Sequence, residues 1–369
     1  MTDPRVIKLA QVLVNYSLEL KPGEDFFLAS DPLAAELSLE VYKQALLAGA
    51  HVIAMNSLPG AKEIFFKYAS DEQLEYISPI DRMVKESFPA ILDIEAIHNS
   101  RELSGVDPIR QRLNRTARAE LSKVFLRRLA DGSLKWCLTV FPTQASAQEA
   151  DMSLNEYQDF VYGAGLLDLD DPVSAWKLEA DHQAKLINWL AGKKEVVLKG
   201  NDIDLRMSIE DRIFESAAGK LNFPDGEIYT SPVENFANGW VRFAYPAIFS
   251  GKEVIDIELW FEDGKVIKEQ AVKGGDLLTE LLNTDPGARY LGELGIGTNY
   301  GIQKFTKNML FDEKIGGTIH LALGAGFAEV GGKNESGLHW DMLCNMAESE
   351  IIIDGELFYK NGKFALDVL

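Results

Sequence analysis

The sequence predicts an α/β protein: an N-terminal α/β domain with a mainly parallel sheet, followed by a β-rich α+β domain that carries the chemistry. Three observations lead there. Strand, helix and strand succeed one another at short spacing between Phe26 and Met55, the pattern of a βαβ unit. Helical periodicity recurs as far as Leu190. Beyond Ala191-Gly192-Lys193-Lys194 the apolar runs shorten and hairpin turns become frequent. The boundary is therefore expected near residue 192, dividing 1–192 from 193–369, and 369 residues suffice for two cores of ordinary size.

The elements follow in order. Val6, Leu9, Ala10, Leu13 and Val14 recur at helical spacing, with Lys8, Gln11 and Asn15 between them. That is an amphipathic surface helix rather than a secretory leader. Lys21-Pro22-Gly23-Glu24 is a turn, Phe26–Ala29 a strand, Ala34–Leu47 a helix closed by Gly49, and His51–Met55 the next strand. Ala61–Tyr76 and Asp107–Arg128 read as helices, Ala90–Ile94 and Lys135–Val140 as strands, and Leu154–Gly163 and Pro172–Leu190 as helices. In the second half, Val196–Leu198 and Ile203–Met207 flank Gly200-Asn201-Asp202. Ser250-Gly251-Lys252, Glu262-Asp263-Gly264-Lys265, Asp354-Gly355 and Lys360-Asn361-Gly362 repeat that hairpin signal. One helix, Asp276–Leu282, interrupts the strands.

Composition removes several function classes. A hydrophobic share of 46% with 25% charged residues is that of a soluble globular chain, and no apolar run reaches membrane-spanning length. The net charge of -20 argues against nucleic acid and anionic membranes, which need a basic footprint. Cys137 and Cys344 are too few for a disulfide framework or a cysteine-based zinc site, so a cytoplasmic setting fits best.

The chemistry concentrates between Asp312 and Asp341. In Thr318–Leu323 the residues Ile319, Leu321 and Leu323 make one apolar strand face, and His320 shares the other with Thr318, Ala322 and Gly324. Small neighbours leave a ligand room beside the ring. Read as extended, Gly337–Leu343 sends His339 and Asp341 one way and Trp340 and Met342 the other. Upstream, a Pro-Asp-Gly turn launches a strand at Glu227, and Glu293 lies in a Gly-rich apolar segment where an unpaired carboxylate would be costly. His51, His98 and His182 lie outside these stretches and read as structural or solvated. Gly295-Ile296-Gly297 and Gly324-Ala325-Gly326 lack the spacing of phosphate loops, no HExxH occurs, and Ser231 has no G-x-S-x-G setting.

Four segments in this order, NFPDGEIYTSP (Asn222 to Pro232), LGELGIGTN (Leu291 to Asn299), FDEKIGGTIHLALG (Phe311 to Gly324) and GGKNESGLHWD (Gly331 to Asp341), make the chain similar to the aminopeptidase T and aminopeptidase S family of thermophilic-type metallopeptidases. A weaker likeness, as at Phe141-Pro142-Thr143, extends over the first half. The resemblance implies metal ligands at Glu227, Glu293, His320, His339 and Asp341, sharing two divalent ions (zinc, cobalt or manganese). Three carboxylates against two dications leave a net +1, which suits a metal-activated water. It further implies release of N-terminal amino acids from peptides, Glu293 as bridging ligand or proton shuttle, a first domain that walls the cleft, and a homodimer. One position departs. The family usually has a tyrosine where this chain has Phe327, and a phenyl ring donates no hydrogen bond. Glu329, Tyr300 or a metal-bound water are the candidates to replace it. A second reading therefore stays open, a metal-binding relative that acts as a binding protein with little or no turnover.

Overall fold

The computed structural model describes residues 3–249 and 251–365. The chain divides into two compact units, Met1–Ser174 with Gly219–Pro224, and Ala175–Ala218 with Asp225–Leu369. The helix Pro172–Leu190 runs through the first of these divisions.

The first unit is built on a five-stranded parallel sheet. Its spatial order is His51–Asn56, Asp25–Ser30, Ala90–Glu95, Lys135–Val140 and Asn222–Phe223. The βαβ expectation is met: Phe26 pairs with Val52 on one side and Ala90 on the other, and the helix Ala35–Leu47 makes the crossover. Covered on both faces, the inner strands read as near-continuous apolar runs, as parallel strands do. The first helix, Pro4–Val12, passes into a wider π turn over Leu13–Ser17.

Two long helical expectations break in two. Ala61–Tyr68 ends before Ser70, whose Oγ accepts from Gln73 N while the Gln73 side chain accepts from Ser70 N, and Asp71–Glu75 restarts behind that capping box. Pro108–Ala117 and Ala119–Ala130 meet at Arg118. Two further helices, Pro79–Ser87 and Gln144–Glu149, lie outside the segments that periodicity marks as helical; Ser78 and Thr143 cap them.

The second unit is antiparallel. Val196 and Leu198 lie on a strand paired with Ile203–Ser208, and the segments Lys252–Glu262 with Lys265–Lys273, Ser349–Ile353 with Glu356–Lys360, and the latter with Lys363–Phe364 form the hairpins that the turn signals predict. Ala247–Phe249 likewise pairs with Lys252–Glu262, although Ser250 of that turn lies outside the described residues. These strands belong to a nine-stranded sheet. A second sheet, of five strands, has the order His339–Asn345, Thr318–Gly324, Leu291–Gly297, Glu227–Thr230 and Glu215–Ala217. Apolar side chains of both sheets share one core with Leu186 and Leu190 of the long helix and Leu278, Leu281 and Leu282 of Gly275–Leu282. No described helix is long and apolar enough to cross a membrane.

Candidate metal centre

The five-stranded sheet has two unlike faces. Ile228, Leu294, Ile296, Ile319, Leu321, Leu323, Trp340 and Met342 point into the core, each at most 3% exposed. Alternation sends the residues between them to the opposite face, and those residues are Glu227, Glu293, His320, His339 and Asp341. Four neighbouring strands thus bring together all five side chains named from the sequence, though Glu227 and Asp341 are more than a hundred positions apart. His51, His98 and His182 belong to no metal-competent cluster among the described residues.

Space for the cluster comes from missing side chains. Gly295 pairs with His320 across one strand boundary and with Tyr229 across the other. A Cβ at Gly295 would stand 2.0 Å from His320 Cε1, so the imidazole lies over the bare glycine. Gly226, at φ +131°, turns the chain into the Glu227 strand, and a Cβ there would come within 2.6 Å of Asn299 Cβ.

Glu293 sits at the centre. Its Oε1 is 3.2 Å from His320 Nε2 and its Oε2 is 3.3 Å from His339 Nε2. Glu227 Oε2 stands 3.4 Å from His320 Nε2, and Asp341 Oδ1 stands 3.5 Å from His339 Nε2. The ligand atoms fall into two groups that share Glu293: Glu227, Glu293 and His320, then Glu293, His339 and Asp341. Within each group they lie within 4.8 Å of one another.

The histidines are oriented from behind. His320 Nδ1 is 3.2 Å from the Glu313 carbonyl and His339 Nδ1 is 2.9 Å from the Ala325 carbonyl. A carbonyl only accepts, so each Nδ1 carries a proton and each Nε2 is the atom offered to the cluster. That is the arrangement of metal-ligating histidines. The segment before His339 is pinned as well: Asp285 accepts from Ser336 Oγ and Gly337 N, and Asn334 Nδ2 donates to the carbonyls of Gly287 and Gly324.

Burial and charge set the protonation. Burial pulls His320 down, but the charges of Glu293 and Glu227 outweigh it and its pKa rises to about 10. Burial opposes His339 too, and the neighbouring carboxylates of Asp341 and Glu293 lift it to about 11. Glu293 would be raised by burial, yet His320 and His339 hold it down at about 2. Burial pushes Glu227 up to about 8 against the pull of Lys314. Without another cation, protons on the imidazoles hold the carboxylates together. Glu227 Oε2 and Asp341 Oδ1 are buried and accept no hydrogen bond. Buried oxygens of that kind, facing two imidazole nitrogens, fit a divalent ion of the zinc, cobalt or manganese type.

Sequence reading missed two members. Lys314 is 1% exposed, with its Nζ 3.1 Å from Glu227 Oε1, 3.5 Å from Asp225 Oδ1 and bonded to Glu313 Oε1. Burial would lower its pKa, but Glu227, Glu313 and Asp225 hold it well above the usual lysine range. In the sequence it sits in Asp312-Glu313-Lys314, which looks like a solvated charge run. The signal that could have exposed it is the apolar and Gly-rich flank on either side. Tyr229 is the second: it follows Glu227 by two on the same strand and therefore shares its face.

At Phe327 the ring packs between Tyr229 (centroids 5.4 Å apart, edge-on) and His339 (5.1 Å apart). Its backbone N–H donates to Ser231 Oγ. The two side chains suggested to fill its place are differently engaged. Tyr300 donates its hydroxyl to the Gly362 carbonyl, and Glu329 is exposed on a 3₁₀ turn.

Residues 2–364 match the sequence model of a family described as thermophilic metalloprotease (M29). Among characterised proteins the chain is similar to aminopeptidase 2 of Geobacillus stearothermophilus, 27% identical across 98% of each chain. It is also similar to aminopeptidase PepS of Streptococcus thermophilus, 26% identical across 94% of this chain and 93% of that one. Its fold is that of wild-type AmpT from Thermus thermophilus, with a TM-score of 0.85 at 22% identity, covering 98% of this chain and 99% of the other.

Proposed function

The chain belongs to the thermophilic metalloprotease family M29, a family of hydrolases, and from that premise we propose that it is an aminopeptidase acting through two divalent ions held by Glu227, Glu293, His320, His339 and Asp341. One observation carries the reading: the two oxygens of Glu293 face two different imidazoles, at 3.2 and 3.3 Å, so a single carboxylate joins both halves of the cluster.

Each residue then has a task. Glu227 and His320 would hold one ion and His339 and Asp341 the other, with Glu293 common to both groups. Bound there, the ions supply Lewis acidity and lower the pKa of a water molecule. The carbonyls of Glu313 and Ala325 fix the imidazole tautomers. Lys314 takes Oε1 of Glu227 and leaves Oε2 for the cluster. It also alters the charge balance. Adding Asp225, Glu313 and Lys314 to the three ligand carboxylates lowers the net +1 of the five-ligand site with two dications by one charge, to zero. A neutral centre is less costly to bury than a charged one. A centre without net positive charge does not repel a substrate that arrives with a cationic end, such as the free amine of a peptide.

The test is release of a chromogenic amine from aminoacyl substrates with added Zn²⁺ or Co²⁺. Activity that disappears with chelator, returns with metal, and is absent in Glu293→Gln is the expected result. Tight metal binding with no turnover on any aminoacyl substrate would favour instead the binding-protein reading that Phe327 raises.

A further inference from the structure

Hydrolysis of an amide places negative charge on the carbonyl oxygen as water adds to the carbon, and a hydrogen-bond donor aimed at that oxygen stabilises the transition state. Donors are scarce on this face of the sheet. Both imidazoles commit Nδ1–H to backbone carbonyls, the Lys314 ammonium is taken up by three carboxylates, and Phe327 offers only carbon. Tyr229 is different. It shares the strand face of Glu227 and pairs across the bare Gly295, over which the His320 ring lies. Its ring meets Phe327 edge-on at 5.4 Å, and Phe327 in turn meets His339 at 5.1 Å. The phenol is half-buried and makes no hydrogen bond among the described residues.

Resting on the peptidase reading above, we infer that the Tyr229 hydroxyl is the donor that faces the developing oxyanion, in the place that Phe327 leaves without one. The phenol donates a hydrogen bond and keeps its proton, so the water still supplies both the hydroxyl that joins the carbonyl carbon and the proton that leaves with the amine. Two neighbouring positions, 229 and 327, would thus trade hydroxyl and phenyl without changing the volume of the aromatic pair.

The experiment compares wild type, Tyr229→Phe, and Tyr229→Phe combined with Phe327→Tyr. Expected for Tyr229→Phe is a fall in kcat on the order of 10²-fold with KM little changed. The double variant should regain a large part of that loss. A phosphonic acid dipeptide analogue, whose tetrahedral oxygens mimic the oxyanion, should bind Tyr229→Phe more weakly by a similar factor. Zinc affinity by calorimetry and melting temperature should match wild type. Wild-type hydrolysis with an unchanged rate in Tyr229→Phe overturns the role of Tyr229 alone. A fall in zinc affinity or melting temperature that matches the fall in rate overturns it too, because the tyrosine would then only shape the site. Absence of hydrolysis by wild type overturns the peptidase reading, and this inference with it.

Discussion

On the sheet formed by the Glu227, Glu293, His320 and His339 strands, one face is Ile228, Leu294, Ile319, Leu321 and Met342, and the other is carboxylate and imidazole. The same backbone bonds serve both. On the apolar face, burial is itself the stabilising term, at roughly 25 cal/mol per Å² removed from water. On the polar face, Glu227, Glu293 and His320 are buried as well, and burial there works against the charged forms. Such a face persists because opposite charges and backbone carbonyls meet nearly every polar atom, and because Gly295 leaves the imidazole somewhere to lie. The contrast teaches that two faces of one strand can be altered separately, one controlling stability and the other controlling what the protein binds.

Three changes would break or sharpen that contrast. The largest effect is expected at Lys314→Met, which leaves Glu227, Glu313 and Asp225 facing one another without their buried cation. Loss of one partner from a buried charge cluster costs about 3–5 kcal/mol. Urea unfolding with chelator present should show it, and added zinc should recover part of it. A loss below about 1 kcal/mol would mean that the carboxylates find another counter-charge. Next is Leu321→Ala on the core face, expected to cost about 2–5 kcal/mol while leaving zinc affinity untouched. If affinity falls with stability, the two faces are not separable. Smallest is Gly295→Ala. Its methyl would displace the His320 ring, and disturbing a ligand's support weakens metal binding by about 10- to 100-fold. Calorimetry giving the wild-type zinc affinity would show that the ring can be accommodated elsewhere.

Much of this was legible before any coordinates. Alternation in Thr318–Leu323 and His339–Leu343 told which side chains share a face, because the side-chain period of a strand is a local property of the backbone. Hairpins at Gly200-Asn201-Asp202 and Asp263-Gly264 were legible for the same reason: turn chemistry is written within a few residues. Helices failed where local capping overrode periodicity, as at Ser70, or where an element was too short to have a period, as in Gln144–Glu149.

What the sequence by itself determined is therefore the set of parts: strands with one polar face, two histidines and Asp341 placed on such faces, Glu227 and Glu293 in segments that the family resemblance marks as ligands, and the aromatic departure at Phe327. Only the tertiary structure decided that the strands of Glu227, Glu293, His320 and His339 lie side by side, that Glu293 reaches both imidazoles, that Lys314 is interior, and that Tyr229 stands beside Phe327. The reason is physical. Which face a residue takes follows from its immediate neighbours, whereas which strands adjoin is settled by pairing and burial among segments far apart in the chain.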